Sequence, residues 1–131
     1  MPSHDEWLKQ AKSEALTEEE MDLLERLRRE ARERELMYNI GASHSPSYLA
    51  MVTRKDWPTP YFGAVPYLQA MATMYAITDS YGMDDGRSII TYFLSNAGTW
   101  RGPVARAVKA RLNFLLRMDK QCRAWISKED K

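Results

Sequence analysis

Residues 99–127 read TWRGPVARAVKARLNFLLRMDKQCRAWIS, and the placement of charge in this stretch decides the fold class. At about 100° per residue, Val104, Val108, Leu112, Leu115, Cys122 and Ile126 fall on one stripe of a helix. Arg106, Lys109, Asn113, Arg117 and Lys120 fall on the opposite side, and no acidic residue interrupts them. Thr99 supplies a capping hydroxyl, and Pro103 lies in the first turn, where a missing N–H breaks no bond. The pattern predicts one long helix from Thr99 to about Ser127, apolar beneath and cationic above. Arg111 falls at the edge of the apolar stripe, where it can pair with Asp84 or Asp85 or reach outward to water.

Moving toward the N-terminus, Asn96-Ala97-Gly98 reads as a turn. Gly86 to Ser95 reads as a helix capped by Asp84 or Asp85, presenting Ile89, Ile90, Phe93 and Leu94. Residues 87–112 therefore have the outline of a helix-turn-helix unit, with Gly98 in the turn and Val104 six residues on. Leu94 stands where such a unit prefers a small residue, and an ordinary helical hairpin is the preferred reading. Pro66 to Ser80 carries almost no charge and reads as a core helix, with the last helix packed across it.

Residues 42–65 differ in character. Pro46, Pro58 and Pro60 punctuate them, and Tyr48, Trp57, Tyr61 and Phe62 load them with aromatic rings. Ser45-Pro46 is a good cap and first-residue pair for a short helix reaching about Val52. Arg54 to Pro60 reads as a loop, so the segment as a whole reads as a proline and aromatic connection.

At the front, Thr17 and Glu20 form a capping box for a helix from Glu18 to about Asn39, ending near Gly41. Its narrow apolar face comprises Met21, Leu24, Leu27 and Ala31, then Leu36, Met37 and Ile40. Pairs such as Glu25–Arg29 and Glu30–Arg34 sit four apart and add a few tenths of a kcal/mol each. Ser3 to Ala15 reads as a shorter amphipathic helix. The expectation is an all-α single domain of five or six helices spanning 1–131: N-terminal helices over 1–41, the connection over 42–65 and a helical core over 66–131.

Composition bounds what such a domain does. The chain has 131 residues, 44% of them hydrophobic and 28% charged, which are values of a folded globular protein. A single cysteine, Cys122, excludes an intrachain disulfide, and two histidines leave no zinc-type ligand set. Met1 to Lys12 is polar and charged, unlike a secretory signal. The longest apolar stretch, Ala64 to Ile77, is too short to cross a bilayer. A reducing, cytoplasmic setting with no membrane association is the expectation.

Net charge is +1, yet it is unevenly spread. Residues 1–40 hold 7 basic and 11 acidic side chains, a balance of −4, whereas residues 99–131 hold 9 and 3, a balance of +6. Such ends can meet head to tail in a homo-oligomer.

No catalytic motif stands out. Ser43, His44, Ser45 and Asp56 include the residue types of a hydrolase triad, but sequence neighbours rarely achieve triad geometry, and no nucleophile elbow is present. Asp79, Asp84 and Asp85 lack the spacing and the closing glutamate of a calcium loop. The expected function is thus non-catalytic and cofactor-free: nucleic-acid contact through Trp100, Arg101, Arg106, Lys109, Arg117 and Lys120. The alternative is a protein–protein adaptor, or an inhibitor of a larger enzyme of the kind viral and mobile elements supply. It would dock through Trp57, Tyr61 and Phe62, because aromatic rings dominate binding hot spots, or through the acidic helix that begins at Glu18.

Overall fold

The structure is a computed structural model and describes residues 3–7 and 15–129. Among these, helix dominates and the fold is all-α, with one very small two-stranded ribbon. The helices are α1 (Glu18–Ala42), α2 (Pro46–Asp56), α3 (Val65–Met71), α4 (Gly86–Ser95) and α5 (Pro103–Glu129). A 3₁₀ turn, Phe62–Ala64, leads into α3, and antiparallel strands β1 (Ser80–Tyr81) and β2 (Asp84–Asp85) lead into α4. Most of the expected Ser3–Ala15 helix lies outside the described residues; His4 to Trp7 form a helical turn.

Local sequence signals place most helix starts. The Thr17 hydroxyl accepts from the Glu20 amide at 3.2 Å, and the Glu20 carboxylate accepts from the Thr17 amide in return. Ser45 caps α2 by accepting from the Tyr48 amide, and Pro46 follows at the first helical position. Asp85 caps α4 by accepting from the Ser88 amide at 2.9 Å. That contact draws the Asp85 carboxyl below its ordinary pKa, because the ionised form accepts the bond.

The chain forms two units, residues 1–36 and 37–131. The division falls inside α1. The second unit holds the buried hydrophobic core: Leu49 and Val52 from α2, Leu68 and Met71 from α3, Ile89, Ile90 and Phe93 from α4, and Val108 and Leu112 from α5. α2 therefore belongs to the core. Its helix runs on to Asp56, so the first three residues of the expected Arg54–Pro60 loop are helical and residues 57–60 are not, and α5 packs on α2 and α4. The expected crossing of the last helix over the 66–80 helix is not its main packing.

The 66–80 helix itself is short. It ends at Met71, and beyond it two polar side chains and the Ser47 amide capture the backbone. The Thr73 hydroxyl donates to the Ala70 carbonyl, the Met74 carbonyl is taken by the Ser47 amide, and Asp79 accepts from the Tyr75 and Ala76 amides. Each bond offers the chain an alternative to the helical ladder. Gly86 closes this region: its amide donates to the Asp79 carbonyl, and a Cβ there would lie 2.5 Å from the carbonyl oxygens of both Ile77 and Asp79.

Candidate polyanion-binding face

α5 is continuous from Pro103 to Glu129, so the two-sided helix is present. It begins later than Thr99. Gly102 adopts φ +114°, a conformation few other residues accept, and turns the chain into the helix at Pro103. The connection between α4 and α5 runs from Asn96 to Gly102, about twice the three or four residues of a DNA-reading helix-turn-helix. The 87–112 segment is an ordinary helical pair.

Trp100 decides the course of that connection. Its side chain is turned inward, leaving the residue 2% exposed. The indole stacks on Trp57 with ring centroids 5.7 Å apart and planes 4° from parallel, and its Nε1 donates to the Asp56 carboxylate at 2.8 Å. Phe93 packs against it at 6.4 Å. Trp100 is therefore a core residue and not a stacking platform for a base. Its place beside the expected start of the last helix had put it among the nucleic-acid contacts; the signal for burial was the pair Asp56-Trp57, an acceptor beside a ring.

Lys109 is also engaged. Its Nζ donates to the Trp100 carbonyl at 2.6 Å and lies 5.9 Å from the indole centroid. Burial, with a smaller contribution from Arg101, lowers its pKa from the ordinary lysine range. Lys109 thus ties the connection to α5 and leaves the cationic row.

The remaining cations of the expected site are exposed. Arg101, Arg106, Arg117 and Lys120 face solvent, and none has a carboxylate within ion-pair distance among the described residues. Arg106, Arg117 and Lys120 share one side of α5 over about 21 Å. Asp119 is turned to another side, where it accepts from Arg87 of α4 and, at 3.0 Å, from Arg123. The hydrogen bond and charge of Arg87, then the charge of Arg123, hold the Asp119 carboxyl below the usual carboxylate range. The helix's one mid-length acid is thereby neutralised away from the row.

Arg111 pairs with neither Asp84 nor Asp85. Its Nε donates to the Ser43 carbonyl at 2.6 Å, and its guanidinium lies 4.7 Å from the Phe114 centroid. It latches the α1–α2 turn to α5. His44 Nδ1 lies 3.5 Å from Arg111, while Asp56 is bound to Trp100, so the triad residue types are engaged in separate structural contacts. Among the described residues no group of three His, Cys, Asp or Glu converges for a metal ion, and no helix is long and apolar enough to cross a membrane.

The proposed docking rings divide differently. Trp57 is half-buried with one face on Trp100, whereas Tyr61 is exposed and Phe62 is 80% exposed, their centroids 4.7 Å apart. Tyr61 and Phe62 adjoin in sequence a shallow groove lined by Arg54, Trp57, Pro58, Pro60, Val65 and Leu68. No family model, curated protein or solved structure matches the chain.

Proposed function

We propose that the chain is a non-catalytic binding protein that holds a nucleic acid along the outer face of α5. The observation that supports this most is the row of Arg106, Arg117 and Lys120, exposed and free of described carboxylate partners, on a helix without a break. Arg101 adds a fourth cation near the start of the row. Side chains of this kind contact phosphates, and phosphate contacts fix position without reading sequence. The reading is therefore of sequence-tolerant binding.

The test is a salt titration of affinity for a mixed-sequence oligonucleotide. Three or four neutralised phosphates give a slope of log K against log salt of about −3 to −4. Changing Arg106, Arg117 and Lys120 to Glu together abolishes binding, and Lys109→Ala leaves it nearly intact. Affinity indifferent to salt, or unaffected by the triple change, overturns the reading.

A second reading rests on Phe62. An aromatic ring this exposed beside a groove suits a protein partner. A partner retained after nuclease digestion, and lost on Phe62→Ala without loss of fold, would move the function to this edge.

A further inference from the structure

Arg111 stands at the edge of the buried stripe of α5, where a helix that only packs would carry an apolar side chain. Its guanidinium is held in two ways. The Nε donates to the Ser43 carbonyl at 2.6 Å, and the group lies over the Phe114 ring, 4.7 Å from its centroid. Arg117 approaches the same ring, with its guanidinium carbon 6.0 Å from the centroid. Spacings of three residues make Arg111, Phe114 and Arg117 neighbours on successive turns, so two guanidinium groups share one ring. His44 completes the group, with Nδ1 3.5 Å from a terminal nitrogen of Arg111. With Nδ1 facing that donor, the ring proton sits on Nε2, which is a further donor. All four residues belong to the unit 37–131.

Three donor side chains are thus gathered with no acid among them. Neither arginine has a carboxylate within ion-pair distance among the described residues, and Asp119 is taken by Arg87 and Arg123. Like charges brought together repel unless an anion lies between them. The start of α2 is not the source of attraction, because Ser45 takes the Tyr48 amide and the Met74 carbonyl takes the Ser47 amide. Ser43 and Phe114 fix the plane of the Arg111 guanidinium, so little side-chain freedom is lost when an anion binds.

We propose that Arg111, Arg117 and His44 bind a phosphate monoester, which on a nucleic acid is the phosphate at a strand end. The strand-end assignment rests on the polyanion reading above. A terminal phosphate carries roughly two charges and three acceptor oxygens. An internal phosphodiester carries one charge, and suits the separate exposed cations Arg106 and Lys120. Two guanidinium groups and an imidazole match the richer ligand, and arginine pairs with phosphate through two donors at once.

The first measurement uses the full chain and inorganic phosphate alone. The chain has two histidines, His4 and His44, so imidazole NMR signals report the site beside an internal control. Phosphate, compared with chloride at fixed pH and equal ionic strength, moves the His44 signals along a saturable curve and leaves those of His4 in place. The second measurement compares one single-stranded oligonucleotide with a phosphate at its 5′ end, at its 3′ end or at neither. One phosphorylated form binds about tenfold tighter than the bare strand. Arg117→Gln, at an exposed position, keeps the helical circular dichroism, flattens the His44 response and cuts the preference below about threefold. Arg106→Gln, about 16 Å along α5 from Arg117, weakens all three strands alike and keeps the preference. His44 signals that answer phosphate and chloride alike overturn the site, as does a preference that survives Arg117→Gln. Three strands of equal, salt-dependent affinity overturn the strand-end assignment and leave the polyanion reading standing. A salt-indifferent affinity for the bare strand overturns the polyanion reading, while the His44 response to inorganic phosphate is read without any nucleic acid.

Discussion

The two halves of α5 carry the same pattern and meet different surroundings. From Pro103 to Leu115 the apolar stripe closes on α2 and α4; beyond Met118 an equally apolar stripe faces solvent. Amphipathic spacing states that a helix has a side to cover. It does not state what covers it, or whether the cover belongs to the same molecule. The first half therefore contributes more to the stability of the second unit than the second half does.

The largest expected effect breaks the covered half. Trp100→Ala removes a ring that meets Trp57 and Phe93 and strands the Asp56 carboxylate, which costs about 3–5 kcal/mol in urea unfolding. Trp125→Ala, the same chemical change on the exposed half, alters the unfolding free energy by less than about 0.5 kcal/mol. Equal losses at the two tryptophans would erase the contrast.

Gly86→Ala comes next. A Cβ would strike two backbone carbonyls that cannot swing aside, for a loss of about 1–3 kcal/mol. Gly41→Ala, where a Cβ meets nothing within 4 Å, gives no comparable loss.

Asp119 marks the seam between the halves. Its side chain is 8% exposed while both arginine partners are wetter, so Asp119→Asn costs about 1–2 kcal/mol. Its folded-state pKa is depressed, so its contribution is whole above the unfolded carboxylate value of about 3.9. That contribution is lost as pH falls through the lower folded-state value. The wild-type stability advantage over Asp119→Asn should vanish in acid, as urea midpoints against pH will show. The smallest effect is at Lys120→Ala, which leaves stability within about 0.5 kcal/mol and lowers the salt slope of oligonucleotide binding by about one.

Signals confined to a few residues were legible in the sequence. Thr17 with Glu20, and Ser45 with Pro46, mark helix starts because cap and recipient amide lie three residues apart. The cap of α4 was narrowed to Asp84 or Asp85, and Asp85 makes the bond. The row of Arg106, Arg117 and Lys120 was legible for the same reason, since helical period alone puts the three on one side.

Tertiary structure decided what depends on distant partners. Trp100 turns inward for Asp56, Arg111 reaches Ser43, and Asp119 is claimed by Arg87, all across separations that no local pattern encodes. The end of α3 at Met71 was settled where the Ser47 amide takes the Met74 carbonyl. The contacts nearest the point along α5 where cover stops come from the starts of its two partners: Ser43, just before α2, takes Arg111, and Arg87 at the start of α4 takes Asp119. Local propensity fixes which backbone bonds form, whereas burial depends on which remote surfaces arrive to exclude water.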